Sequence, residues 1–251
     1  MGKTTIQTVA AQWDAPTNVH AFTTTRVGGG SSKPYDCLNL GSHVGDLDVH
    51  VQSNRAHLIE QLALPNEPCW LSQVHGIELI ELSEGTQCDP QGSPPVADGA
   101  WTKKPRVACA VLTADCLPLL LTNTKGDQVA ALHVGWRGMA AGIIESGVAA
   151  FADSPDDILA WAGPCIGPEA FEVGDEVPAQ LGGSQAAYRQ AASPNKLYAD
   201  LYLLAGERLS AMGVSQYSHS DACTYRDKDN YFSYRRDGEC GRMASIIWLD
   251  R

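Results

Sequence analysis

Four short runs, residues 107–112, 117–122, 129–134 and 158–162, are apolar at nearly every position and constrain the fold more than anything else in the chain. A strand with one wet face alternates apolar and polar residues, whereas a strand that is apolar throughout must be covered on both sides. The chain therefore has to build a sheet that lies inside the protein. Weaker strand candidates are 20–25, 70–74, 77–82 and 245–249. Three segments carry helical spacing. The first is capped by Asp48 and runs to about Leu62, with Val51, Leu58, Ile59 and Leu62 on one face. The second covers 138–151, with Met139, Ile143 and Val148 inward, and the third covers 196–212 and stops at Gly213. Strands and helices are mixed without strict alternation, which predicts an α+β protein with mixed sheets rather than a doubly wound fold. Residues 85–99 are the richest in turn formers and read as a long loop inside a single domain spanning 1–251.

Composition narrows the possible partners. Of 251 residues 44% are apolar and 19% charged, the latter below the roughly 25% of an average globular protein, so a sizeable core is affordable. Basic residues number 18 against 29 acidic, a net charge of −11 with no basic block, which argues against nucleic acids and anionic membranes as partners. Small anions would need a local pocket of arginines or backbone N–H groups. The amino terminus lacks a signal-peptide core, and Ile6 stands where a myristoylation motif needs Ser or Thr. The stretch 107–121 is too short to span a bilayer and is broken by Thr113, Asp115 and Pro118. A cytoplasmic monomer is expected. Eight cysteines, at 37, 69, 88, 109, 116, 165, 223 and 240, form no C-x-x-C pair and read mostly as small buried hydrophobes.

Three segments share one pattern, in which a strand candidate ends at a potential metal ligand and a turn follows. They are Gln-Val-His-Gly (73–76), Thr-Ala-Asp-Cys-Leu-Pro (113–118) and His-Val-Gly-Trp-Arg-Gly (133–138), offering His75, Cys116 and His133. Adjacent strand ends can bring such distant residues into one site. Two imidazoles and a thiolate suit a borderline-soft ion such as Zn²⁺, and three protein ligands leave an open position for chemistry. A copper ion is the weaker alternative. Taken alone, a His beside Gly at a strand end is also what a satisfied core residue looks like, and Cys116 equally fits a packed small side chain.

Further motifs occur in order around these: Thr-Thr-Arg-Val-Gly-Gly-Gly-Ser-Ser (24–32), Leu-Asn-Leu-Gly-Ser-His-Val-Gly-Asp (38–46), Ala-Asp-Gly (97–99), Gly-Pro-Cys-Ile-Gly (163–167) and Tyr-Phe-Ser-Tyr-Arg-Arg-Asp-Gly (231–238). From about residue 20 to 249 the chain resembles the YfiH-like family, long labelled multicopper polyphenol oxidases or laccases and now regarded as purine nucleoside phosphorylases. The resemblance implies one α/β/β/α domain and a zinc site at His75, Cys116 and His133. It implies phosphorolysis of adenosine, inosine and methylthioadenosine to base and ribose 1-phosphate, with deamination of adenosine beside it. Multicopper oxidases arrange ligands in His-x-His pairs; this chain has seven His and no such pair, which disfavours laccase chemistry.

Each activity asks for further groups. Deamination needs a metal-activated water and a proton shuttle, for which Asp115 is a candidate, with the orienting of a ligand as its other reading. Phosphorolysis needs cations for phosphate. The turn Gly135-Trp136-Arg137-Gly138 opens a helix and carries Arg137; Arg26 precedes Gly28-Gly29-Gly30; Arg235 and Arg236 are adjacent, one of them structural. Trp136 is placed either to stack on a base or to fill the core. His43 and Asp46 read as supporting the ligands from behind or lining the substrate pocket, and Asp98 as a turn residue. A metal-free cysteine hydrolase with a Cys116–His133 dyad uses the same residues, and a peptidoglycan-editing or purely regulatory protein is the third reading.

Overall fold

The apolar runs become the inner strands of two facing sheets. The computed structural model describes residues 4–83 and 93–250. Its strands are β1 (Thr8–Ala10), β2 (Val19–Thr24), β3 (Leu79–Glu81), β4 (Gly99–Thr102), β5 (Cys109–Thr113), β6 (Leu117–Asn123), β7 (Val129–Val134), β8 (Ile158–Ala162), β9 (Glu172–Gly174), β10 (Tyr188–Gln190), β11 (Lys196–Ala199), β12 (Gln216–His219) and β13 (Met243–Leu249). One sheet runs β12-β8-β6-β7-β4-β3 and the other β1-β2-β13-β5, with a small sheet β10-β11-β9 beside them. Parallel pairs (β12·β8, β3·β4) and antiparallel pairs share the larger sheet, so it is mixed as expected.

Alternation along the buried strands divides the core into layers. Leu120, Ala131 and Trp161 point from the larger sheet toward Val111, Ile247 and Leu249 of the smaller one. Leu119, Leu121 and Leu132 point the other way, onto Met139, Ile144, Val148, Leu204 and Leu209. These belong to helices α2 (Trp136–Ala141), α3 (Ile143–Ala149) and α4 (Leu201–Ala211). The outer face of the smaller sheet, with Phe22, Leu112 and Ile246, is covered by Leu58 of helix α1 (Asp48–Gln61). The order is thus helices, sheet, sheet, helix: the four-layer α/β/β/α arrangement. Each wholly buried leucine here contributes about 1.5–3 kcal/mol, which makes polar substitution in these runs intolerable.

Several expectations are corrected. The helix over 138–151 is two helices, because Gly142 adopts a left-handed φ of 108° that ends α2 and starts α3. The helix over 196–212 begins only at Leu201: Asp200 caps it by accepting from the Leu203 N–H (3.0 Å), while Lys196–Ala199 pairs with β9 and β10. Leu47, not Asp48, is the N-cap residue of α1, and no side chain caps it. Residues 70–74 make an isolated bridge, Ser72 to Val96, and no strand. The short strands β1, β9, β10 and β12 had no sequence signal, since three or four residues hold too little pattern. Cys109, Cys165 and Cys240 are buried, as expected of small apolar residues, but Cys37 is exposed and Cys69 is disulfide-bonded. The first part of the 85–99 loop, with Cys88, lies outside the described residues.

Candidate metal centre

The three ligand candidates meet where β6 and β7 run antiparallel beside β4. Leu117 pairs with Val134 and Pro118 with His133, so Cys116, at the mouth of β6, lies alongside the end of β7. His75 arrives on the turn after the Ser72–Val96 bridge. One donor atom from each of His75, Cys116 and His133 lies within 4.8 Å of the others, and the two imidazoles stand edge to face with centroids 4.7 Å apart. His133 is buried, Cys116 partly buried and His75 exposed, so the group is reached from solvent at His75. A β-carbon on Gly135 would lie 3.3 Å from Cys116 Sγ and 3.1 Å from His75 Cε1; the space for the three donors exists because that residue is glycine. His75 itself is held at a φ of 61°, a conformation few non-glycine residues adopt without support.

The support is Asp98, which the sequence presented as a turn residue. It is fully buried, immediately before β4, and its carboxylate accepts from four donors. Oδ1 receives the His133 Nδ1–H (2.8 Å) and the His75 N–H (2.9 Å); Oδ2 receives the Gly76 N–H (2.6 Å) and the Val74 N–H (3.2 Å). One carboxylate thus fixes the ring of one ligand and the backbone of another. With Nδ1 donating to Asp98, His133 presents Nε2 to the centre, the tautomer a metal ligand requires. Burial raises the pKa of Asp98, but these bonds outweigh it and hold the carboxyl below its ordinary range.

Electrostatics favour a thiolate. Burial alone would push the Cys116 thiol up; the charges and hydrogen bonds of His133 and His75 bring it down to about 6. Against the same burial, Cys116 and Asp98 raise His133. Cys109, with burial but no such neighbours, is driven the opposite way. A deprotonated sulfur with two imidazoles can hold a metal ion, and three protein donors leave a coordination position free.

The other predicted residues are placed as follows. Asp115 adopts a φ of 92° and commits both carboxylate oxygens, Oδ1 to the Thr224 hydroxyl (2.6 Å) and Oδ2 to the Arg235 N–H (2.7 Å). It ties the 224 and 235 segments to the turn that carries Cys116. Arg235 donates to the Glu172 carbonyl (2.7 Å), whereas Arg236 donates to the carbonyls of Thr224, Tyr225 and Tyr231 and pairs with Asp237, so Arg236 is the structural member. Arg26 lies over Phe232, donates to the Asp36 and Lys228 carbonyls, and is 3.4 Å from the Asp36 carboxylate. Arg137 is exposed and lies over the ring of Trp136 (4.3 Å), which packs at the edge of the helix-side core. Asp46 accepts from Ser31 and Asn39 and organises its own loop. His43 is exposed on that loop, near enough to His133 to feel its charge. A separate cavity of about 580 Å³ is lined by Tyr202, Tyr217, His219 and Cys223 and by none of the three ligands.

Comparison with known proteins converges on one family. The family described as "Multi-copper polyphenol oxidoreductase laccase" matches residues 20–250. The chain belongs to it. An Escherichia coli K12 member named "Purine nucleoside phosphorylase YfiH" is 47% identical over 96% of this chain and 98% of its own length. A Haemophilus influenzae protein named "Purine nucleoside phosphorylase" is 42% identical over 98% of this chain and 100% of its own. Among solved structures, a Neisseria meningitidis protein aligns with a TM-score of 0.89 at 41% identity, over 97% of this chain and 99% of that one. YlmD from Geobacillus stearothermophilus aligns at 0.88 and 33%, over 98% and 99%. Among the described residues no helix is long and apolar enough to cross a membrane.

Proposed function

We propose that this family member is a zinc-dependent purine nucleoside phosphorylase, converting adenosine, inosine or methylthioadenosine with phosphate to the free base and ribose 1-phosphate, and that it deaminates adenosine at the same centre. The observation that carries the reading is the half-open His75, Cys116 and His133 group braced by Asp98. The names of the E. coli and H. influenzae relatives support the reaction class. The N/N/S set suits zinc, a closed-shell ion with no geometric preference of its own, and seven histidines without a His-x-His pair do not provide for several coppers. When bound, zinc would supply Lewis acidity and an open position for substrate. Asp98 keeps His133 in its ligating tautomer, Cys116 supplies the negative charge that retains the cation, and Asp115 holds the Arg235 segment against the centre. Arg137, Trp136 and Arg235 then border the substrate, in a cytoplasmic monomer.

The test is incubation with adenosine, with and without phosphate, followed by chromatography. Adenine and ribose 1-phosphate formed only with phosphate are expected, with inosine reporting deamination. Neither product from folded, zinc-loaded protein would overturn the assignment. One observation favours a second reading: the Cys116–His133 contact and lowered thiol are also what a cysteine hydrolase needs. Stoichiometric zinc, lost in Cys116→Ser, supports the first reading; an active metal-free enzyme silenced by alkylation of Cys116 supports the second.

A further inference from the structure

Two guanidinium groups, Arg55 and Arg242, and the imidazole of His43 converge on the loop that precedes α1, and none of them has an acidic partner at ion-pair distance among the described residues. Arg55, on α1 and only 5% exposed, donates through Nε (3.1 Å) and Nη2 (2.8 Å) to the Leu40 carbonyl and lies over the Trp70 ring. Arg242, just before β13, is held to the other side of the same residue: its carbonyl accepts the Leu40 N–H (3.2 Å), and its own N–H donates to Asn39 Oδ1 (3.0 Å). The Arg242 side chain then runs against Gly41, where a β-carbon would lie 2.8 Å from its Cγ and 3.4 Å from His43 Cε1. Nη1 of Arg242 is spent on the carbonyls of Cys240 and Gly241, and Nη1 of Arg55 and Nη2 of Arg242 have no acceptor among the described residues.

A buried guanidinium without a carboxylate is costly, and proteins otherwise keep such charges paired. The chain carries a net −11, yet it leaves two arginines and an imidazole together with only the more distant Glu67 and Asp48 to offset Arg55. The group lies near the metal centre: His43 is within Coulombic reach of His133 as well as of Arg242 and Arg55. The His43 imidazole can donate an N–H, and the two arginines supply fixed charge and further donors, which is the chemistry that binds a small oxyanion. Arg26 and Arg236 already have acidic partners, and Arg137 is exposed over its neighbouring indole.

We infer that the loop 39–43 with Arg55 and Arg242 is the oxyanion subsite, holding inorganic phosphate through Arg242 and His43 with Arg55 as the buried charge behind them. This rests on the phosphorylase reading for its biological meaning, but not for its detection. Calorimetric titration with inorganic phosphate of the zinc-loaded wild type, Arg242→Gln, Arg242→Lys and Arg137→Ala reads the subsite whether or not turnover occurs. Loss of a charge-assisted contact should weaken phosphate binding about tenfold in Arg242→Gln, with partial recovery in Arg242→Lys and circular dichroism unchanged. In phosphorolysis assays the KM for phosphate should rise in the same order while the KM for adenosine holds. Wild-type protein that binds no phosphate, or an Arg242→Gln variant that binds it normally while Arg137→Ala does not, overturns the subsite. Phosphate binding with the expected variant pattern but no phosphorolysis overturns the proposed reaction and leaves the subsite standing.

Discussion

Replacing Asp98 by Asn tests the centre at the point on which both histidine ligands depend. The substitution keeps size and one acceptor oxygen, but places an NH₂ group where Oδ2 receives the N–H groups of Gly76 (2.6 Å) and Val74 (3.2 Å). It also removes the charge from the bonds to His133 and the His75 N–H. A hydrogen bond to a charged group is worth roughly 1.5–3 kcal/mol, against about 0.5–1.5 for a neutral one. Two bonds lost and two weakened would sum to more, but Val74 and His75 are exposed, so water recovers part of the loop. The net cost should be about 2–4 kcal/mol of folding stability, within what a domain of this size tolerates. Because the ring of His133 and the backbone of His75 lose their common brace, zinc affinity should fall about 10–100-fold. Competition against a chromophoric chelator measures the affinity, and thermal unfolding with and without zinc measures how much stabilisation the ion still confers. A folded Asp98→Asn protein that binds zinc as tightly as wild type would refute the argument that this carboxylate builds the centre. Lost stability with intact affinity would reduce Asp98 to a brace for the 74–76 turn.

Three further outcomes follow from the geometry. Gly135→Ala puts a methyl group against His75 and Cys116, so the folded variant should fail to retain metal after dialysis, as read by elemental analysis. Asp46, whose carboxyl is raised by burial but held below its ordinary range on balance by Asn39, Ser31 and the Leu47 N–H, contributes stability that is present above its unfolded value and lost as the pH falls through its lower folded value; acid unfolding of Asp46→Asn followed by tryptophan fluorescence should therefore show a shallower loss of stability below pH about 4 than wild type. Gly142→Ala forces a φ of 108° on a residue with a β-carbon and should cost about 1 kcal/mol or more, visible as a lower midpoint in urea.

What the sequence determined by itself was whatever local pattern encodes. Runs apolar at every position, 117–122 and 129–134 above all, required strands covered on both faces, and they became β6 and β7 at the centre of the larger sheet. Cys116 and His133 were legible as ligands because they stand at the ends of such runs, where a sheet brings distant residues together, whereas His75 sits on a turn after a segment that forms no strand. Helix boundaries were less legible where one residue overrides a periodic pattern, as Gly142 and Asp200 do. The tertiary structure alone decided the rest. Asp98 became the brace of the centre only because β4 pairs with β7 and delivers its carboxylate to His133, while the 74–76 turn closes over it from another part of the chain. Arg55 and Arg242, separated by most of the sequence, share a site only because both are fastened to Leu40. No periodicity records such meetings, since what selects them is the requirement that a buried charge find partners, and those partners exist only once the sheets have stacked.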